Sequence, residues 1–164
     1  MSDQATLSDK DAGMITRVEE LGYELKISQV MTSNVVTVSP DASILEALDV
    51  FKQHRISGAP VMVDDELIGI ISTEDLIRAL RDGRIDRSVS AYMTKDLITV
   101  KAIDKVVEAL KVFSKTKVGR LLVVDENNKL VGLLTKGDIT NGLLNELQRD
   151  YQAEEVIRYR ASHL

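Results

Sequence analysis

Apolar residues follow two rhythms along the chain. Short, near-continuous apolar runs, Ala59 to Val63 and Leu67 to Ile71, flank the acidic turn Asp64-Asp65-Glu66, and a similar pair surrounds Asp125-Glu126-Asn127-Asn128-Lys129. Runs of this length predict strands buried on both faces, or on one face beneath helices. Elsewhere the spacing changes to three and four. Ile44, Leu48 and Phe51 form one amphipathic helical stripe, and Val106, Leu110 and Phe113 form another. Asp41 and Ser43 before the first stripe, and Asp104 before the second, are the polar residues expected to start these helices. Short extended pieces, Val35 to Val38 and Leu97 to Val100, precede them. Second helices are predicted over Thr73 to Arg81 and from Lys136 onward. The order strand, helix, strand, strand, helix therefore occurs twice, with Gly83 to Arg87 linking the copies.

The two copies are an internal duplication. At an offset of 62, Ser28 aligns with Ser90, Met31-Thr32 with Met93-Thr94, Thr37-Val38 with Thr99-Val100, Glu46-Ala47-Leu48 with Glu108-Ala109-Leu110, and Val50-Phe51 with Val112-Phe113. One extra residue in the second turn moves the offset to 63, which pairs Leu67, Gly69 and Asp75 with Leu130, Gly132 and Asp138. Identities clustered at a fixed period signal repeated architecture.

Outside the repeats, Met1 to Lys26 begins polar and is expected to be disordered before about Asp11. Met14, Val18, Leu21 and Leu25 then share one helical face, with Gly22 a weak point or stop. At the other end Ile139, Leu143, Leu147 and Tyr151 recur every four residues, and Val156-Ile157 extend the stripe. This helix either packs on its own domain or serves output or dimerisation. The expected division is an N-terminal extension over 1–26, repeat 1 over 27–82, a linker over 83–88, repeat 2 over 89–144 and a C-terminal helical extension over 145–164.

Composition narrows the function. A chain of 164 residues with 44% hydrophobic and 29% charged side chains suits one compact domain or two halves sharing a core. The absence of cysteine excludes disulfides, thiolate metal sites and Cys nucleophiles together. A net charge of −5 argues against general nucleic-acid binding. No apolar run approaches a membrane span, and a cytoplasmic location is the default expectation. Neither histidine belongs to a paired or HExxH pattern, and there is no nucleophile elbow or Walker sequence, so catalysis and metal binding are not expected.

The motifs Val30-Met31-Thr32, His54-Arg55-Ile56-Ser57-Gly58-Ala59-Pro60-Val61 and Gly69-Ile70-Ile71-Ser72-Thr73-Glu74-Asp75 recur in order as Tyr92-Met93-Thr94, Lys117-Val118-Gly119-Arg120-Leu121-Leu122-Val123 and Gly132-Leu133-Leu134-Thr135-Lys136-Gly137-Asp138. This pattern resembles the cystathionine-β-synthase (CBS) domain, and its tandem occurrence resembles a Bateman module. The resemblance implies an α/β (α+β) fold of two β-α-β-β-α repeats about a pseudo-twofold axis, with two clefts that bind adenosine nucleotides as regulatory ligands. An extra N-terminal helix and a long C-terminal helix complete the expected architecture.

Two readings stay open for the strand-to-helix junctions. Ser72-x-x-Asp75 and Thr135-x-x-Asp138 fit capping boxes, in which hydroxyl and carboxylate exchange hydrogen bonds with the first turn. They also fit a nucleoside phosphate, with free N–H groups near Ser72-Thr73 and Thr135-Lys136 receiving phosphate and the aspartates accepting a ribose diol. The resemblance adds residues across each cleft. It implies Arg120 as a phosphate contact for the Asp75 site, and Ser57, Gly58 and Ala59 as a more open wall for the Asp138 site. Ser28, Ser33, Ser90 and Lys95 fall in the segments that line such clefts. Arg120 reads equally as a surface ion pair, and His54 and Arg55 as charges at a helix C-terminus. On this basis Asp75 marks the better anion site.

The expected function is a regulatory sensor of AMP, ADP or ATP. The alternatives are a structural dimerisation module with vestigial sites, or a sensor of S-adenosylmethionine or another adenosyl ligand. A homodimer is expected. The abrupt end, Arg158 to Leu164, suggests a regulatory segment followed by an effector domain such as a kinase-like ATPase.

Overall fold

The computed structural model describes residues 8–163. In chain order the elements are α1 (Asp9–Glu24), α2 (Ile27–Val30), α3 (Ile44–His54), β1 (Gly58–Val63), β2 (Glu66–Ser72), α4 (Thr73–Arg81), β3 (Thr99–Lys101), α5 (Val106–Lys115), β4 (Arg120–Val124), β5 (Leu130–Thr135) and α6 (Lys136–Ser162). A single 3-10 turn, Val89–Ala91, lies between α4 and β3. The expected mixed α+β repeats and the two extra helices are present. The expectation of disorder at the N-terminus concerns residues that lie mostly outside the described ones.

The described residues form two compact units that interleave along the chain, one from the stretches up to Met31, Ile103–Arg120 and Leu134 onward, the other from Thr32–Ala102 and Leu121–Leu133. In the second of these, β1 and β2 make an antiparallel hairpin running from Gly58↔Ser72 to Val63↔Glu66, with an irregularity after Val61. Ile44, Ala47 and Phe51 of α3 pack with Val61, Ile71, Leu76 and Ala79 in one core. Each such fully buried aliphatic side chain contributes about 1.5–3 kcal/mol of burial free energy. Ser43 caps α3 and Glu46 returns the bond to the Ser43 N–H, as its place before the apolar stripe predicts. In the same unit β3 runs parallel to β4, with Thr99↔Leu122 through Lys101↔Val124. The expected strand over Val35 to Val38 shrinks to one parallel bridge, Val38↔Val61. Pro60, next to Val61, lacks an N–H, but its carbonyl accepts from Val38 at 3.0 Å.

The other unit is helical. Leu21 of α1 and Leu25 just after it are buried, as are Val106, Ala109 and Phe113 of α5 and Ile139 of α6. Gly22 does not stop α1. It is buried and faces the Val107 side chain. Arg17 anchors α1 to α6 by a 2.8 Å bond from Nε to Asp150, while its Nη1 reaches Glu20 and Glu24. The Asp150 bond foremost, with help from Glu24 and Glu20, holds this guanidinium above its ordinary pKa. Asp104 does not cap α5. The N-cap is Lys105, with no side-chain bond, while the Asp104 carbonyl accepts from Ile27 N–H. Ile27 begins a one-turn helix, α2.

The apolar stripes of α1 and α6 outrun their partners. Met14 shares a face with the buried Leu21 and Leu25 but is itself 52% exposed, and Tyr151 and Ile157 are 59% and 66% exposed. The proximal part of α6 therefore packs on its own unit, and the distal part does not.

Gly142 lets α2 approach α6. A Cβ built at this position would collide with Cγ1 of Val30. Alanine normally stabilises a helix interior over glycine by about 1 kcal/mol, but overpacking costs about 1–3 kcal/mol. Gly142→Ala is therefore expected to lower stability in urea unfolding, and Val30→Ala in the same chain to recover most of the loss. A stabilised single variant would disprove the contact.

Candidate functional site

Repeat 1 turns from β2 into α4 at Ser72, whose extended backbone ends the strand and starts the helix. Both partners of the expected capping box are in place. Ser72 N–H donates to Asp75 Oδ2 at 2.9 Å, and Asp75 N–H donates to Ser72 Oγ at 3.4 Å. The Ser72 hydroxyl also donates to Asp75 Oδ2 at 2.9 Å. Asp75 is the only buried charged residue among the described residues, at 7% exposure. Such burial is tolerated because the carboxylate is hydrogen-bonded and paired. The other oxygen, Oδ1, accepts from Arg78 at 3.0 Å.

The phosphate half of the expectation needs correction at this junction. Thr73 N–H is not free, since it donates to the Ser57 carbonyl at 2.9 Å, and the Thr73 hydroxyl reaches the same oxygen at 3.2 Å. With Ser72 N–H engaged in the cap as well, both backbone donors expected for phosphate here already have partners. These bonds place Ser57, Gly58 and Ala59, expected as a wall of the Asp138 site, beside Ser72 and Thr73 instead, with Gly58↔Ser72 and Ala59↔Ile71 in register. Gly58 and Ala59 are buried and Ser57 is exposed.

Sequence reasoning missed two residues here, Arg78 and Tyr92. Arg78 also donates to the Tyr92 carbonyl at 3.0 Å, and its guanidinium lies 5.6 Å from the Tyr92 ring centroid. The Tyr92 hydroxyl in turn donates to Asp82 at 2.9 Å. The available signal was the Asp75 to Arg78 spacing, one helical turn between opposite charges. Next to Tyr92, Thr94 exchanges two backbone bonds with Ile70 on the edge of β2, at 2.8 and 3.0 Å. Met93 Sδ packs against Gly69, where any Cβ would crowd it.

Repeat 2 repeats the junction in its own way. Thr135 N–H donates to Asp138 Oδ2 at 2.9 Å, and Asp138 N–H donates to Thr135 Oγ1 at 3.1 Å. Lys136 is exposed, and its ammonium lies 5.8 Å from the Phe113 ring centroid. Arg120 opens β4 and is half buried. Ser28 lies in α2 and is exposed, as are Ser33 and Lys95. Ser90 is half buried, its hydroxyl 2.7 Å from that of Ser88 and its N–H donating to the Pro40 carbonyl at 3.1 Å. His54 ends α3 and Arg55 caps it in the left-handed region at φ 52°, which fits the structural reading of both.

A surface cavity of about 730 Å³ lies elsewhere, between the turns Asp64–Glu66 and Asn127–Lys129. It contains none of the candidate residues, and its three carboxylates disfavour a phosphate. Among the described residues no group of acidic or histidine side chains could hold a metal ion, and no helix is long and apolar enough to cross a membrane.

The duplicated junctions and the paired edge segments agree with a direct family comparison, in which the CBS domain matches residues 27–82 and 89–145. The chain belongs to the CBS-domain family. It carries two CBS domains in tandem, a CBS pair. The uncharacterized protein MJ1232 of Methanocaldococcus jannaschii is 39% identical over 79% of this chain and 44% of its own length. An uncharacterized 17.7 kDa protein of Acidianus ambivalens is 33% identical over 80% of this chain and 82% of its own. Inosine-5'-monophosphate dehydrogenase of M. jannaschii is 38% identical over 75% of this chain but only 24% of the enzyme. This chain thus spans less than half the length of MJ1232 and about a quarter of that dehydrogenase. Among solved structures, CBSX2 in complex with AMP superposes with a TM-score of 0.65 at 28% identity, covering 73% of this chain and 96% of that one.

The aromatic part of the Asp75 cluster has a measurable signature. Partial burial of the Tyr92 ring, and then its bond to Asp82, raise the phenol pKa above its usual value near 10. Ionisation would leave the phenolate partly desolvated and, in addition, beside a carboxylate. Asp82→Asn is expected to bring the Tyr92 titration down toward the ordinary value in NMR of tyrosine ring carbons. No downward movement would rule out the Tyr92–Asp82 contact.

Proposed function

We propose that this CBS pair is a regulatory sensor that binds an adenosine nucleotide at its strand-to-helix junctions. The reading rests chiefly on the repeated Ser/Thr-x-x-Asp turn, in which a half-buried or buried carboxylate is held rigidly at the start of a helix, where it can accept hydrogen bonds from a ribose diol. The AMP bound to the related CBSX2 supports the ligand class. AMP, ADP and ATP are the favoured ligands, with Ser72, Thr73, Asp75, Thr135, Lys136 and Asp138 at the centres of the sites. S-adenosylmethionine shares the same adenosyl diol and is the second candidate. The CBS pair itself performs no catalysis in this reading.

Regulation requires that the ligand bind two conformations of the pair unequally and that the difference reach an output. The match to a short part of much longer relatives supports an effector attached to such a pair. The exposed Tyr151, Val156, Ile157 and Tyr159 of distal α6 favour a second reading, an interaction module that forms homodimers through helix faces.

Titration calorimetry with AMP, ADP, ATP and S-adenosylmethionine distinguishes the two. The sensor predicts micromolar binding, weakened at least ten-fold, a loss of about 1.4 kcal/mol, by Asp75→Ala or Asp138→Ala. Each alanine also removes a cap, at about 1 kcal/mol of stability, so folding must be checked by thermal unfolding in parallel. No binding of any of the four ligands leaves only the interaction module.

A further inference from the structure

The contacts of Asp75 add a regulatory step to the nucleotide reading above, on which this step rests. Its Oδ2 is committed to the helix cap, accepting from both the N–H and the hydroxyl of Ser72. A ribose diol seeking two acceptor sites would therefore need Oδ1, which Arg78 holds at 3.0 Å. Arg78 is itself restrained by the Tyr92 carbonyl and ring, and Tyr92 is tethered through its hydroxyl to Asp82. Arg78, restrained by Tyr92 and through it by Asp82, thus holds the outer oxygen of this carboxylate.

Repeat 2 has no chemical equivalent of this arrangement. At the repeat offsets Arg78 corresponds to Asn141, Asp82 to Asn145 and Tyr92 to Val30. Asparagine offers no guanidinium to a carboxylate, and valine offers neither a ring nor a hydroxyl. The asymmetry is therefore one of covalent composition and does not depend on how either side chain is oriented.

We infer that Arg78 is a latch on the repeat 1 junction, occupying the carboxylate oxygen of Asp75 that a ribose diol must take, so that the Asp75 site loads only after the guanidinium is displaced. The latch is weak enough for a ligand to open. The Arg78 side chain is 49% exposed, and ion pairs with a partner in solvent shift an equilibrium by at most about five-fold.

Adenosine is the appropriate probe, because it carries the ribose diol but no phosphate with which a lost arginine could have interacted. Its binding is measured by calorimetry in the Asp138→Ala chain, where only the Asp75 site remains, and again after adding Arg78→Ala or Arg78→Gln. Both additions are expected to tighten adenosine binding by about three- to five-fold. Thermal unfolding of each variant verifies that the Asp138→Ala background is folded. If adenosine affinity is unchanged or weaker in both double variants while Asp75→Ala still abolishes it, the latch is wrong and the nucleotide reading stands. If neither adenosine nor AMP binds the unsubstituted chain, both are overturned.

Discussion

The structure depends on the need of a strand edge for hydrogen-bond partners. Backbone N–H and C=O groups along an exposed edge are a liability unless paired. Each repeat offers an edge at its last strand, and in each case the lead segment of the other repeat supplies the partner. Thr94 pairs with Ile70 on β2, and Thr32 pairs with Leu133 on β5. The same reciprocity recurs at the helix starts, where Lys26 bridges Lys105 and Ser43 bridges Ser88. At the repeat offsets these four bridges form two equivalent pairs, 32 with 94 and 133 with 70, then 26 with 88 and 105 with 43. Neither repeat completes its own edges. This explains why the compact units mix segments of both repeats instead of separating them.

The exchange also determines which side chains surround each junction. Because the lead segment of repeat 2 lies along β2, Tyr92 and Met93 arrive beside the start of α4, where Arg78 can reach the Tyr92 carbonyl. Because the lead segment of repeat 1 carries Val30 to α6, the corresponding helix needs Gly142 to admit it. Two near-identical turns thus acquire different neighbours. The capping aspartate serves folding and candidate function at once. Its bonds to the first turn fix the carboxylate in place, worth about 1 kcal/mol, and the same bonds consume part of its capacity to accept a ligand.

The duplication, the helix over Thr73–Arg81 and both capping boxes were legible because they depend on local pattern. A hydroxyl followed three residues later by a carboxylate, at the end of an apolar run, is a local signature of a helix start. Features set by distant partners were not legible. Val35 to Val38 has strand composition but finds only a single bridge. Asp104 looks like a cap, yet its carbonyl is used by Ile27, more than seventy residues away. Gly22 reads as a breaker in isolation, but it is a contact surface once α5 packs against it. At the candidate site, the aspartates and hydroxyls were readable from spacing. The engagement of Thr73 N–H by Ser57, and the closure of Asp75 by Arg78, depend on side chains and carbonyls that the fold brings together.

The two repeats diverge most where their last helices end, and one residue accounts for much of this. Repeat 1 has Gly83 after α4, at φ +68°, a left-handed conformation that glycine adopts without strain and that ends a helix. At the equivalent position repeat 2 has Glu146, which favours continuation and forms an ion pair with Arg149 one turn on. α6 therefore runs to Ser162, for 27 residues and about 40 Å. Beyond Asp150 it is supported by local bonds such as Tyr151 to Glu155 and Arg158 to Glu154, not by burial. Such pairs add only about 0.2–0.5 kcal/mol each, so the exposed turns depend on continuity with the packed proximal half that begins at Thr135. A change at that junction alters the first turn of the helix that carries the exposed apolar residues. The second repeat thus joins its candidate ligand carboxylate to a continuous rod, whereas the first ends after nine helical residues.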